Sequence, residues 1–299
     1  MRKINHFIGG QNQIGTSGRV HNVFDPSSGL VQAEVDLASL DEVNDVVTVA
    51  QEAALLWKES SLTQRTQIMF TFREILSARA NELAKIVSRE HGKVISDAFG
   101  EVARGIENVE FACGIGQHLK GEINEQVSAG IEVYSLRQPL GVVAGITPFN
   151  FPAMVPCWMF ATAIASGNTF ICKPSERDPS ASMLIAEWFK EAGLPDGVFN
   201  VLNGDKVAVD GLIDHPGISA ISFVGSTPIA RYVYERGTQA GKRVQALGGA
   251  KNHMLVLPDA DIEMAADAAV SAAYGSAGER CMAISAVVAV GSAADEIVE

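Results

Sequence analysis

The chain has 299 residues, 47% of them hydrophobic, enough to bury a substantial core and, at this length, to build two domains. Its formal net charge of -12 at pH 7 excludes the basic face that nucleic acid or an anionic membrane requires of a partner. The four cysteines, at 113, 157, 172 and 281, include no Cys-x-x-Cys pair, so reduced thiols are expected rather than a disulfide framework or a metal site.

The N-terminus, Met1-Arg-Lys-Ile-Asn-His6, lacks the apolar core of a signal peptide, and no apolar stretch reaches membrane-spanning length. The cytoplasm is therefore the expected compartment. Residues 4–36 mix short apolar runs with turn formers such as Asp25-Pro-Ser-Ser-Gly29, which reads as small strands forming a docking arm. From Ser39 the pattern turns helical: Ser39 and Glu42 form a capping box, followed by Val43, Val46, Val47, Ala50, Ala54 and Trp57 at helical spacing. A second box, Ser61 with Gln64, opens a longer periodic run through Met69, Leu76, Leu83 and Val87. A third helix follows Gly92 and carries Arg104, which by itself reads as one more arginine on a solvated face. Residues 122–140 alternate apolar and polar around a turn at Ser128-Ala-Gly130; such an exposed hairpin invites pairing and reads as an oligomerisation element.

From Leu140 strands and helices alternate, beginning with the near-continuous apolar strand Val142–Ile146. The fold class is α/β: a Rossmann-like parallel sheet with helices on both faces, whose ligands are expected beyond the carboxyl ends of the strands. Three loops there are unusual. Thr147-Pro-Phe-Asn-Phe-Pro152 stiffens Asn150 between two prolines, to aim its amide or to let it satisfy its own turn. Lys173-Pro-Ser-Glu176 brings a cation and a carboxylate to the sheet's mouth, as a ribose site or as an incidental ion pair. Phe223-Val-Gly-Ser-Thr227 precedes Pro228 at a helix start, suited to pyrophosphate or simply to capping. Further on, the small-residue run Tyr274-Gly-Ser-Ala-Gly-Glu-Arg-Cys-Met-Ala283 delivers Cys281 beside Arg280, as a nucleophile with room for substrate or as a small buried hydrophobe.

Taken in this order, Thr147-Pro-Phe-Asn-Phe-Pro152, Lys173-Pro-Ser-Glu176, Phe223-Val-Gly-Ser-Thr227, Leu247-Gly-Gly249 and Gly278-Glu-Arg-Cys-Met282 resemble the aldehyde dehydrogenase superfamily. Gly248-Gly-Ala-Lys-Asn-His253 and Gly278-Glu-Arg-Cys-Met-Ala283 are similar to its CoA-acylating branch acting on methylmalonate semialdehyde, which serves valine and inositol breakdown. The resemblance implies an NAD-binding domain of residues 1–121 and 141–247, the oligomerisation hairpin 122–140, and in 248–299 the first part of a catalytic domain, with the family's C-terminal remainder not in this chain. It implies Cys281 as nucleophile and Asn150 as oxyanion donor, with Thr147, Phe149, Lys173, Glu176, Gly225 and Ser226 on NAD. Arg104 and Arg280 would recognise the substrate carboxylate. Hydrolytic members carry a glutamate where this chain has Ala246, and Gln245 takes up no proton at neutral pH. Coenzyme A is thus the expected acyl acceptor, with propionyl-CoA or acetyl-CoA and carbon dioxide as products in a homo-oligomer. A hydrolytic dehydrogenase and a nucleotide-binding or interaction fragment are the alternatives.

Overall fold

The computed structural model covers residues 1–299, which divide at Leu247 into units 1–247 and 248–299. The chain opens with β1 (Arg2–Ile4), β2 (His6–Ile8), β3 (Gln11–Gln13), β4 (Val20–Phe24) and β5 (Val31–Asp36). These strands are not a docking arm. β2 pairs antiparallel with a strand of the central sheet, and Phe7, Ile8, Val23, Ala33 and Val35 are all buried. The alternation of Val31, Ala33 and Val35 is short, yet it puts an apolar face on the core.

The Ser39–Glu42 box caps α1 (Leu40–Trp57) reciprocally, as its residue types require. At α2 (Leu62–Ala78) only half of the box forms: the Ser61 side chain accepts from the Gln64 amide. The periodic run that follows is two helices, not one, because Arg79 leaves helical geometry at φ -110, ψ 18 and α3 (Ala80–His91) starts afresh. Arg79 there forks onto Glu191 at 2.6 and 2.7 Å, a contact a continuous helix would displace. Next come α4 (Ile95–Cys113), the single turn α5 (Ile115–His118), and the antiparallel pair β6 (Ile123–Ser128) and β7 (Ile131–Tyr134), whose residues are all exposed.

The alternating region supplies β8 (Val142–Ile146), α6 (Met154–Ala165), β9 (Thr169–Lys173), α7 (Ser180–Glu191), β10 (Phe199–Val201), α8 (Lys206–Asp214), β11 (Ile218–Val224), α9 (Thr227–Gln239) and β12 (Arg243–Leu247). The seven-stranded sheet runs β12-β11-β8-β9-β10-β2-β3, parallel from β12 to β10 and antiparallel beyond. Strand periodicity divides the interior in two. Val142, Ala144, Ile146 and Ile171 join α1 and α8 in one core, while Val143, Phe170 and Cys172 face the other way. There Phe72 stacks on Phe189 with centroids 3.7 Å apart, and Phe160 meets Phe199 edge-on at 5.1 Å. Burial on both faces is why these strands read as unbroken apolar runs.

The second unit pairs β13 (Asn252–Val256) with β14 (Ile284–Ala289) in parallel, joined by α10 (Ile262–Tyr274) and followed by α11 (Ala293–Val298) around Val256, Ala265 and Ala293. No helix in either unit is long and apolar enough to cross a membrane.

Candidate active site

In the first unit the sheet order reverses between β8 and β11: the chain leaves β8 toward β9 and β10, then returns to β8's other side. A crevice opens where strands diverge in this way, beyond their carboxyl ends. The loops at that point are 147–152 and 225–227. The Thr147 amide donates to the Lys173 carbonyl at 3.1 Å, latching the first loop to the end of β9. Phe149 lies between the His91 ring, 6.2 Å away, and the Arg177 guanidinium, 5.0 Å from the ring centroid. Burial, reinforced by the charge on Lys93, pushes His91 down to about 4, so the imidazole is neutral at pH 7.

Lys173 is buried at the end of β9, its Nζ 3.3 Å from a Glu176 oxygen, while Glu176 stays partly open to solvent. A buried point charge beside a reachable carboxylate suits an adenosine ribose, whose hydroxyls a carboxylate can accept from. Gly225 donates its amide to the Leu247 carbonyl at 3.1 Å, and a Cβ there would lie 2.5 Å from the Phe223 ring. Ser226 is the N-cap of α9 in extended geometry, and its side chain makes no capping hydrogen bond. The positive end of a helix start of this kind suits an anion. Together these groups fit a dinucleotide: diol acceptor, cation and pyrophosphate cradle at one end of one sheet.

The second unit presents the thiol. Past α10, the tight turn Gly275–Gly278 holds Ser276 at φ 54, Ala277 at φ 55 and Gly278 at φ 74. Residues with a Cβ resist this left-handed region by roughly 1–2 kcal/mol each, and such strain gathers at sites that must present a group. A second turn follows, closed by the Ala283 amide on the Arg280 carbonyl at 3.0 Å, with Cys281 exposed near its tip. The Asn252 side chain donates to the carbonyls of Cys281, at 2.9 Å, and Ala283, at 3.1 Å. The thiol's backbone is thereby pinned to the start of β13. A Cβ on Gly275 would lie 3.0 Å from the Arg280 guanidinium, so the small residue there lets Arg280 fold back over the turn.

The other thiols are placed for packing. Burial pushes Cys113 up to about 11, Cys172 up to about 12 and Cys157 further still. Only Cys281 is exposed.

Within the first unit the structure brings Thr147, Phe149, Asn150, Lys173 and Glu176 onto the adjoining ends of β8 and β9, with Gly225 and Ser226 past the end of β11 on the other side of β8. Arg104 is exposed on α4, three residues beyond Glu101, and its Nη1 donates to both Glu107 oxygens at 2.8 and 2.7 Å. Cys281 and Arg280 belong to the second unit. Sequence reasoning missed three residues. Asn252, which pins the thiol turn, sat inside the Gly248–His253 motif without a role. Lys93 and Glu101 grip the Asn150 loop from a buried position, with Lys93 Nζ donating to the Asn150 carbonyl at 2.7 Å. Nothing local marks them, since one follows a helix-ending glycine and the other lies on an ordinary amphipathic helix.

A sequence model of the aldehyde dehydrogenase family matches residues 14–299. A malonate-semialdehyde dehydrogenase from Pseudomonas aeruginosa is 54% identical over 97% of this chain and 58% of its own length. Malonate-semialdehyde dehydrogenase 2 of Geobacillus thermodenitrificans is 52% identical over 100% of this chain and 62% of its own length. Among solved structures, a chain from Sinorhizobium meliloti, provisionally assigned as methylmalonate-semialdehyde dehydrogenase and complexed with NAD, superposes with a TM-score of 0.97 at 53% identity, covering 100% of this chain and 62% of that one. The methylmalonate-semialdehyde dehydrogenase of Oceanimonas doudoroffii gives 0.97 at 52% identity, with 100% and 61% covered. The chain thus spans about three-fifths of the length of these relatives.

Proposed function

The chain belongs to the aldehyde dehydrogenase family, and on that premise we propose that it serves the NAD-dependent, CoA-acylating oxidation of malonate or methylmalonate semialdehyde. Relatives named for these two semialdehydes, at about half identity, support the substrate. The observation that carries the reading is Cys281: exposed on a pinned turn, in a chain whose other thiols are buried. Its sulfur attacks the aldehyde carbon to give a thiohemiacetal. The resemblance implies the Asn150 side-chain amide and the Cys281 backbone amide as donors to the oxygen that becomes negative, donors of the kind whose loss costs about a hundredfold or more in rate. When bound, NAD supplies the acceptor for the hydride leaving that carbon. Thr147, Phe149, Lys173, Glu176, Gly225 and Ser226 are the residues to hold it.

The fate of the thioacyl group follows from Ala246. Where hydrolytic members carry a carboxylate, this side chain is a methyl group partly buried against the sheet core. Gln245 beside it accepts from the Ser222 hydroxyl at 3.0 Å, and an amide takes up no proton at neutral pH. Water is left without a base, whereas the CoA thiol, of a type that ionises at about 8.5, carries enough thiolate at neutral pH to need less help. Arg104 and Arg280 are the guanidinium forks proposed for the substrate carboxylate. Its loss as carbon dioxide follows acylation, the electron pair entering the thioester carbonyl and a proton replacing it on carbon. The balance is semialdehyde, NAD and CoA to acetyl-CoA or propionyl-CoA, carbon dioxide and NADH. The test is NADH absorbance with malonate semialdehyde, with and without CoA. CoA-dependent turnover is expected, and equal rates in its absence would reject the acylating mechanism.

A further inference from the structure

We propose that the buried Lys93–Glu101 ion pair positions Asn150, acting on the backbone at Asn150 itself and at the helix start that follows its loop; the inference rests on the oxyanion role put forward for Asn150 above. The pair is enclosed, with Lys93 4% and Glu101 3% exposed and Nζ 2.7 Å from Oε2. The same ammonium donates to the Asn150 carbonyl at 2.7 Å and lies 4.3 Å from the centroid of the Phe151 ring. The other Glu101 oxygen, Oε1, accepts the amides of Ala153 at 2.8 Å and Met154 at 3.1 Å. Ala153 is the N-cap of α6 and has no side chain with which to cap it. Glu101, reaching over from α4, supplies that cap and places a negative charge at the helix's positive end.

One ion pair therefore contacts residues 150, 151, 153 and 154, with Pro148 and Pro152 stiffening the chain around them. Buried ion pairs seldom stabilise a fold more than apolar residues of the same volume would. What this pair adds is direction. An amide that must meet a developing oxyanion tolerates little error, since a displacement of about 1 Å costs on the order of a hundredfold in rate. Lys93 has a carboxylate, a carbonyl and an aromatic face around its ammonium, an arrangement for holding rather than for proton transfer.

The test is the double variant Lys93→Met/Glu101→Gln in the full protein. It removes both charges together, leaves a Gln oxygen for the amides of Ala153 and Met154, and releases the Asn150 carbonyl along with the ammonium's contact on the Phe151 ring. We expect a melting temperature close to wild type, kcat lower by about a hundredfold, and unchanged KM for aldehyde and Kd for NAD. In an Asn150→Ala background the same double change should cost nothing further, a coupling that a merely structural role does not produce. Lys93→Arg, which keeps donor and charge, should restore most of the rate and carries the test if the double variant fails to fold. A double variant with wild-type kcat, or full additivity with Asn150→Ala, overturns the proposal. If the wild-type protein does not oxidise the semialdehyde, the functional reading fails by itself, and amide hydrogen exchange then decides. Faster exchange confined to the amides of residues 150, 151, 153 and 154 sustains the clamp, and unchanged exchange there overturns it.

Discussion

Asp178 is the residue whose chemistry departs furthest from its type. It lies in the loop after Lys173, is 2% exposed, and neither carboxyl oxygen has a hydrogen-bond partner. Burial holds its proton affinity well above the usual carboxylate range, and the nearby charges of Glu90 and Glu101 push the same way against Lys93 and Arg177. The folded state therefore prefers the neutral acid. With the folded value raised, its contribution to stability is complete below the ordinary carboxyl range, near 3.9. It is lost as pH rises from there through the folded value. Asp178→Asn cannot ionise and escapes this loss. Urea unfolding of both proteins from pH 5 to 9 should show the variant gaining on wild type by up to about tenfold in the unfolding constant per pH unit. A pH-independent difference would mean that Asp178 is ionised in the fold. Nothing in the sequence announces this residue: Lys173-Pro-Ser-Glu-Arg-Asp178 reads as a charged surface loop, and burial, which decides the chemistry, is a tertiary property. Lys93 and Glu101 escaped notice for the same reason. Cys281, Asn150 and Glu176 were legible because their neighbours are informative, with prolines, glycines and strand ends setting each one apart.

The start of α9 is the element on which dinucleotide binding turns. β11 ends at Val224, Gly225 bends the chain against β12, and Ser226 begins the helix with its hydroxyl uncommitted to capping. The Phe223 ring is 5% exposed and closes the space where a residue-225 side chain would stand. Gly225→Ala must move either a packed ring or the loop, and overpacking of this kind costs about 1–3 kcal/mol. The loop is the softer of the two, so its amides leave the position that suits a pyrophosphate. Calorimetric titration should give an NAD affinity weaker by about tenfold or more, every 1.4 kcal/mol being a factor of ten. Retained wild-type affinity would remove this helix start from the proposed cofactor site. The elements themselves were largely readable, because parallel strands buried on both faces and amphipathic helices carry distinct periods. Two features were not. The N-terminal strands look too short and polar for a core, yet β2 extends the central sheet through backbone pairing that side chains do not record. The break at Arg79 interrupts an apolar pattern that runs on undisturbed, because it is set by Glu191 and Trp188 of α7.

For the molecule as a whole, the hairpin of β6 and β7 poses the question of assembly. It pairs only with itself in the first unit, and a lone two-stranded ribbon is marginally stable in water. Ile123, Val127, Ile131, Val133, Tyr134 and Leu136 are all exposed on it, an apolar surface of the kind that marks an interaction site. A second copy of the chain is the partner we propose, since strand edges with free amides and carbonyls extend readily into a shared sheet. The net charge of -12 makes copies repel at long range, so the contact has to be apolar and should strengthen when salt screens that repulsion. Ile131→Lys/Val133→Lys places two charges on one strand, adding desolvation cost to every contact it makes. Sedimentation should report an oligomer for wild type and a monomer for the double variant, with circular dichroism unchanged because these side chains face solvent within the unit. A wild-type protein that sediments as a monomer at all salt concentrations would leave the hairpin without the role its exposed apolar face suggests.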